Sequence, residues 1–151
     1  MPTSDWAATV RSVGTILRAR TVDANGNELG TFTADTRPTA EQVQELLDEA
    51  VGRLASEVGS DIDAKFWAQA RSVAALDAAL TVELTYWPEQ VATGRSPYEQ
   101  LKELHTERRA ALVKAVSEEG DDTDEEVGGA GSPSYGFPAD AGGLVGWGTK
   151  F

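Results

Sequence analysis

Few residues of this chain have the types and spacing that catalysis or metal binding requires. The single histidine, His105, is the natural candidate, because an imidazole can act as a general base or as a metal ligand. The chain contains no cysteine and no second histidine that would complete such a site. The missing cysteines also exclude disulfides, thiolate metal sites and iron–sulfur clusters. We therefore expect His105, which falls near the apolar stripe of a predicted helix, to be a packing or surface residue.

The carboxylates are numerous, but they are not spaced like a catalytic pair or a metal site. The acidic run at residues 121–126, DDTDEE, is superficially similar to a calcium-binding loop, yet it lacks the glycine at the sixth position and the glutamate at the twelfth. The glycines form neither a GxxxxGK[ST] phosphate loop nor a strand-GxGxxG-helix motif. The sequence thus predicts no catalytic residue, no metal site and no cofactor, and it disfavours an enzyme.

Acidic side chains outnumber basic ones, 25 Asp and Glu against 13 Lys and Arg, which gives a net charge of −12. A protein that grips nucleic acid neutralises phosphates with Lys and Arg, and this chain has no basic block to do so. Like charge would instead keep DNA from adhering to a wall built of this protein. The composition therefore argues against DNA binding and is compatible with lining a passage for DNA.

Composition also divides the chain. Residues 1–117 carry 17 acidic and 12 basic side chains, whereas residues 118–151 carry eight acidic side chains and one lysine. Residues 128–148 contain eight glycines and two prolines. We predict a helical body over residues 1–117, followed by an acidic and then glycine-rich arm. The sequence shows no apolar run long enough to span a bilayer, and no basic start or apolar core typical of a signal peptide.

The first long helix of the body is predicted at about residues 39–59. Thr39 and Gln42 have the spacing of a capping box, and Gly59 is a natural stop. Apolar residues between them follow a 3.6-residue period, and the opposite face is acidic. That acidic face is either solvated or lines the lumen of an assembly.

Two further helices are predicted at about residues 62–87 and 96–118. The former would be about 39 Å long. It is apolar on most sides and rich in alanine, which predicts burial in the core or, in part, against another subunit. The latter begins with the cap sequence SPYE. Breaker-rich residues 88–95 predict a loop between them.

The residues before these helices predict a short helix and a β-hairpin. Residues 4–13 could form the helix. The hairpin is predicted at about residues 16–33, because ILRARTV and ELGTFT flank a strong turn signal, DANGN at residues 23–27. A two-stranded hairpin is marginal alone in water, so it needs its own helices or a partner to lie on. The complete prediction is a mainly α fold, a small helical bundle with an N-terminal hairpin and an extended C-terminal arm.

Four aromatic side chains in the arm predict contacts with a partner. A plain flexible linker does not need large aromatic side chains. The arm therefore either folds on a partner, with these rings as anchors, or is a disordered end in which the rings are incidental. Arg37 is either a surface or local capping residue before the helix, or part of an intersubunit ion pair. The residues we predict at partner interfaces are Phe32, Arg37, Tyr135, Phe137, Trp147 and Phe151.

Two stretches of the body resemble the head-to-tail adaptor proteins of long-tailed bacteriophages, especially those that infect actinobacteria. The first is Leu17–Val51, in which GTFTADTRPTAEQV, Gly30–Val43, is the most telling piece. The second is ELTYWPEQVATGRSPYEQLKEL, Glu83–Leu104. The arm is similar only in composition, since it is acidic and glycine-rich with scattered aromatic residues.

The resemblance implies a small helical bundle that works as a structural protein of the virion. Family members, also called head–tail connector or head completion proteins, form a ring, commonly of twelve subunits, beneath the portal protein. The ring extends the DNA channel and docks the stopper or tail-terminator protein. The implied location is the virion neck, after synthesis in the bacterial cytoplasm, with DNA passing through the lumen without specific binding and with no membrane partner.

Two alternatives stay open at the level of sequence. One is another phage neck, tail-completion or packaging-motor subunit, although a packaging subunit is expected to show a basic DNA-binding element. The other is a small hydrolase that uses paired carboxylates. Acidic side chains converging in a closed pocket would support the hydrolase.

Overall fold

The computed structural model describes residues 5–128, with side chains described as far as residue 120. Five α-helices make up most of this part, which confirms the prediction of a mainly helical fold. The core lies in the part of the chain up to Val116, after which the tertiary contacts divide the chain. The helices are α1 Val10–Ile16, α2 Ala40–Val58, α3 Trp67–Tyr86, α4 Pro88–Ala92 and α5 Tyr98–Gly128, with 3₁₀ turns at Arg18–Arg20 and Ala64–Phe66.

Helix α2 begins at a capping box and presents one apolar face to the core. The Thr39 hydroxyl accepts a hydrogen bond from the Gln42 backbone N–H, and the Gln42 side-chain carbonyl accepts one from the Thr39 N–H at 2.9 Å. Both contacts of the predicted capping box are therefore present. The helix stops before Gly59, whose φ of 92° favours glycine. The buried residues recur every three or four positions, at Val43, Leu47, Ala50, Val51 and Leu54.

Helix α3 is buried on most sides and packs against α1, α2 and α4. Its alanines have small side chains, which let neighbouring helices approach closely. The alanine-rich stretch therefore belongs to the core of the chain itself, one of the two roles that the sequence left open. The buried alanines of α3 are Ala70, Ala74, Ala75, Ala78 and Ala79.

The helix predicted at residues 62–87 is too long at its start. The Asp63 carboxylate accepts a hydrogen bond from the Lys65 N–H at 3.0 Å, and this cap begins a 3₁₀ turn rather than an α-helix. At the other end the helix stops at Tyr86, since the proline at residue 88 disfavours a helical Trp87. Helix α3 has 20 residues and is about 30 Å long rather than about 39 Å.

The β-hairpin predicted at residues 16–33 is wrong. In the described structure this region contains one isolated antiparallel bridge, between Val22 and Glu28. The turn signal itself is correct, because the Asp23 carboxylate accepts hydrogen bonds from the backbone N–H groups of Asn25 and Asn27, each at 2.9 Å. These local bonds also lower the pKa of the Asp23 carboxyl below its ordinary value, because they favour the charged form.

Tertiary contacts explain why strands do not extend on either side of that turn. Leu17 is buried in the core directly after α1, and the 3₁₀ turn that follows directs Arg20 toward Glu83 of α3. Side chains alternate between the two faces of a strand, so positions three apart, such as Leu17 and Arg20, would point to opposite faces. A regular strand could not direct both of these side chains into the body. Phe32, on the other side of the turn, is likewise buried in the core.

Two other short elements differ from the prediction. The N-terminal helix runs over Val10–Ile16 rather than residues 4–13, because the Thr9 side chain caps it by accepting a hydrogen bond from the Ser12 N–H. Residues 88–95, predicted as a loop, contain the five-residue helix α4. Pro88 occupies its first position, where the ring's fixed φ suits a helix and its missing N–H costs no bond.

Helix α5 begins where the sequence predicts but extends further. The Ser96 hydroxyl accepts a hydrogen bond from the Tyr98 N–H at 3.1 Å, as expected of the cap. The helix predicted to end near residue 118 continues to Gly128 and includes the acidic run at residues 121–126. Extending an existing helix adds one backbone bond per residue without a new nucleation cost. The rest of the arm, from residue 129, lies outside the described residues.

Candidate functional site

A buried ion pair with three further polar or aromatic contacts lies at the end of α3. Glu83 is fully buried, and Arg20 donates from Nε and Nη2 to its two carboxylate oxygens, each at 2.9 Å. The Ser96 hydroxyl donates to Oε1 of the same carboxylate at 2.6 Å. Arg20 also donates to Gln90 Oε1 at 2.7 Å, and its guanidinium lies 4.1 Å from the centre of the Trp87 ring. These five residues are called the Glu83 cluster below.

Four separate segments supply the polar members of the Glu83 cluster. Arg20 comes from the 3₁₀ turn after α1, Glu83 from the last turn of α3, Gln90 from α4, and Ser96 from the residues that cap α5. Burying a charge is costly unless it is paired and hydrogen-bonded, and here both conditions hold. The Glu83 cluster therefore fixes four segments relative to one another.

The Glu83 carboxylate is well suited to holding structure and poorly suited to chemistry. Three hydrogen bonds, two from Arg20 and one from Ser96, occupy its oxygens, and no solvent reaches it. A general base or metal ligand must offer an open lone pair to a substrate, water or ion. The geometry assigns Glu83 a structural role.

An open cleft of about 520 Å³ lies between α2, α3 and α5. Its charged lining residues form two ion pairs. Arg53 donates to Asp77 at 3.0 Å, and Arg109 donates from Nε to Glu57 at 2.9 Å. The half-buried His105 lines the same cleft. We refer to this feature as the His105 cleft.

Burial lowers the pKa of His105 below its ordinary value. Asp77 and Glu57 act in the opposite direction by favouring the charged imidazolium, while Arg109 and Arg53 disfavour it. The net result is a neutral imidazole near pH 7. The His105 cleft therefore contains a proton acceptor, but each of its two carboxylates is already bound by a guanidinium.

The remaining hydroxyl of the His105 cleft is also occupied. Ser56 donates to the Gly52 carbonyl at 3.0 Å within its own helix. Among the described residues no hydrogen bond joins the His105 ring to a serine or a carboxylate, so the nucleophile–base contact typical of hydrolytic sites is not formed there. The arrangement favours a packing role for His105, in which paired charges surround a neutral ring.

The residues predicted at partner interfaces fall in three different places. Phe32 is 3% exposed, so its ring packs inside the chain rather than on its surface. Arg37 is exposed, and its guanidinium donates to the Thr36 carbonyl at 3.3 Å, a local contact. Phe32 and Arg37 are not brought into one surface site. The four aromatic residues of the arm, Tyr135, Phe137, Trp147 and Phe151, lie outside the described residues.

Sequence reasoning missed the Glu83 cluster. The available signal was Glu83 itself, an acidic residue inside the mostly apolar stretch predicted as the second helix, since a carboxylate is rarely buried unless it is paired. The sequence gives no comparable signal for Arg20, because its partner lies 63 residues away.

No protein-family model, curated protein or solved structure matches this chain. Within the described residues, no group of three or more His, Cys, Asp or Glu side chains is placed to hold a metal ion. The acidic run at residues 121–126 has no described side chains, so its comparison with a calcium loop stays at the level of sequence. No helix in the described part is both long enough and apolar enough to span a bilayer.

Proposed function

We propose that this chain is a structural head-to-tail adaptor of a long-tailed bacteriophage. Copies of it form a ring, commonly of twelve subunits, beneath the portal protein in the virion neck. The ring extends the DNA channel and docks the stopper or tail-terminator protein. In this role the chain performs no reaction and binds no cofactor.

The observation that carries the proposal is where the two family-like stretches lie in the fold. Arg20 belongs to the first stretch, Leu17–Val51, and Glu83 belongs to the second, Glu83–Leu104. The Glu83 cluster joins them. The residues that carry the resemblance thus build the scaffold of the body, which is what we expect of a protein whose function is shape and assembly.

Electrostatics also support the proposal. The net charge of −12 would keep DNA from adhering to the channel wall, because phosphates and acidic side chains repel each other. The arginines of the His105 cleft are both bound by carboxylates, so they are not available as a basic element for gripping phosphates. A packaging-motor subunit is expected to show a basic element, and these two arginines do not supply one.

The direct test is co-expression of the full chain with the portal protein encoded by the same genome. We expect a complex whose mass corresponds to a ring of this chain on the portal, and electron cryomicroscopy should place that ring coaxially with the DNA channel. The portal of an unrelated phage is the matched control and should not retain the chain. Failure to bind the cognate portal, or a monomeric chain absent from the neck of mature virions, would overturn the proposal.

A further inference from the structure

A second groove lies on the α1 side of α3 and α5. It has a volume of about 540 Å³, and its apolar lining includes Ile16 of α1, Leu76 of α3, and Leu101 and Leu104 of α5. Ile16, Leu101 and Leu104 are partly exposed there, whereas Leu76 is buried. We call it the α1–α3–α5 groove.

The charged side chains that line the α1–α3–α5 groove are both basic, which is unusual in so acidic a chain. They are Arg71 of α3 and Arg108 of α5. Arg108 donates to the Ser72 hydroxyl at 2.6 Å, and Arg71 donates to the Asp5 carbonyl at 3.4 Å. In the described part neither guanidinium pairs with a carboxylate, in contrast to the arginines of the His105 cleft and the Glu83 cluster. The groove therefore fits an occupant that combines an apolar side chain with a carboxylate.

The turn at residues 23–29 carries such a combination. Leu29 is 41% exposed and is one of two large hydrophobic side chains exposed in the described part. Its backbone is held in place, because its N–H donates to the Thr21 carbonyl at 2.7 Å. Glu28, the preceding residue, forms a surface ion pair with Arg18 at 3.5 Å. Such an exposed pair contributes little to stability, so Glu28 is available to pair with other arginines at an interface. We call residues 23–29 the Leu29 turn.

The segment just after the Leu29 turn and the α1–α3–α5 groove lie against different residues of α1. The chain just after the turn packs against Gly14, where an added Cβ would lie 3.0 Å from the Thr31 Cα. The groove is lined instead by Ser12, Thr15 and Ile16. Two complementary patches at different places on one chain produce a head-to-tail contact, which closes into a ring when the rotation per subunit permits.

We infer that the Leu29 turn of one copy docks in the α1–α3–α5 groove of the next copy. Leu29 contacts the apolar lining, and Glu28 faces Arg71 and Arg108. The occupant is a second copy of this chain, because its Leu29 turn carries an apolar side chain that suits the apolar lining and a carboxylate that suits the two arginines. The inference deepens the proposed function and rests on it, since it names the contact that would build the ring.

The test exploits the absence of native cysteines, which makes any introduced thiol unique. Two full-length variants, Leu29→Cys and Leu104→Cys, are mixed at high concentration and oxidised mildly. We expect a disulfide-linked heterodimer, identified by peptide mass mapping of a disulfide that joins positions 29 and 104, because the two variants have equal intact masses. The matched control pairs Leu29→Cys with Thr106→Cys, an exposed position of α5 outside the groove lining, and should give background cross-linking. No heterodimer above that background would overturn the inference.

Sedimentation analysis provides a second readout that needs no cross-link. Leu29→Asp should weaken self-association by about tenfold or more, because it removes the apolar anchor. Leu84→Asp, at the other exposed large hydrophobic residue and outside the groove lining, should leave self-association unchanged. Circular dichroism should show both variants folded. Equal effects of the two variants, or a wild-type chain that stays monomeric, would contradict the inference.

These outcomes are separable from those of the portal experiment. If the chain binds its portal as a ring but does not cross-link, the proposed function is supported and the proposed interface is contradicted. If the chain cross-links through position 29 but does not bind the portal, the interface is supported and the adaptor function is contradicted.

Discussion

Arg20 and Glu83, which are 63 residues apart in the chain, form a bidentate ion pair whose carboxylate is completely buried. The pair joins a turn after the first helix to the end of the central helix. Because Gln90 and Ser96 bind the same two side chains, the positions of α4 and of the start of α5 depend on it as well. The Arg20–Glu83 pair at the end of α3 therefore stabilises the body in addition to the apolar core.

Removing one partner of this pair should cost more than removing both. We expect Arg20→Met to lower the free energy of unfolding by about 3 kcal/mol or more, because Glu83 would be left buried without its counter-ion. The double variant Arg20→Met/Glu83→Leu should lose less than Arg20→Met alone, since no unpaired charge remains. Urea unfolding at pH 7 measures both.

A matched control for that experiment is the exposed pair Arg53–Asp77. Arg53 is about half exposed, and surface pairs contribute on the order of 0–1 kcal/mol. Arg53→Met should therefore lower the free energy of unfolding by less than about 1 kcal/mol. If Arg20→Met and Arg53→Met cost the same, the structural role assigned to the Glu83 cluster is incorrect.

His105 should make stability depend on pH in a specific direction. Its pKa in the folded chain is below the ordinary value of 6.5, so between those two pKa values the unfolded chain binds a proton that the folded chain does not. The stabilisation is complete above about pH 6.5 and is lost as the pH falls through the folded pKa. Comparing urea unfolding at pH 7.5 and 5.5 should show wild type losing more stability than His105→Gln.

The neighbouring variant Thr106→Gln serves as the control, because it changes an exposed residue of the same helix turn. It should keep the wild-type pH dependence, while carboxylates elsewhere contribute equally to all three proteins. Parallel pH profiles for wild type and His105→Gln would show that burial of the ring in the cleft has no energetic consequence.

Helices whose ends carry local signals could be predicted from sequence, whereas the region that depends on distant contacts could not. Thr39, Gln42 and Gly59 define α2 by short-range hydrogen bonding and backbone preference, and the structure has these features. The residues before α2 have an equally strong turn signal, yet they do not form a hairpin. Long-range contacts of Leu17 and Arg20 outweigh strand pairing there, and neither contact leaves a periodic pattern in the sequence.

The candidate sites show the same limit. The sequence predicts His105 as a packing or surface residue, because the chain has no cysteine or second histidine to complete a site, and the structure places its half-buried ring in the His105 cleft. The sequence also predicts Phe32 at a partner interface, as part of the hairpin expected at residues 16–33. The structure places that ring in the core, where its neighbours come from elements that sequence spacing alone does not bring together.

Two glycines should respond to alanine in opposite directions. Gly14 of α1 lies so close to the next segment that an added Cβ would meet the Thr31 Cα at 3.0 Å, so Gly14→Ala should destabilise the body by about 1–3 kcal/mol. Gly52 of α2 has open space around it, so Gly52→Ala should stabilise the body by up to about 1 kcal/mol through helix propensity. Thermal unfolding distinguishes the two, and a shift of the same sign would contradict the close packing at Gly14.

Deleting residues 128–151 should separate folding from attachment to the portal. The core residues of the described part lie before residue 117, so helical content and cooperative unfolding should be retained. The segment carries the aromatic residues Tyr135, Phe137, Trp147 and Phe151, and in the proposed function these rings anchor the chain on its partners. Binding to the cognate portal should therefore be lost. A matched variant that keeps the full length and replaces the four aromatic residues with serine should also fail to bind. Normal portal binding by the deletion variant would show that attachment depends on the helical body and not on the arm. Normal binding by the serine variant would show that the four rings are not the anchors.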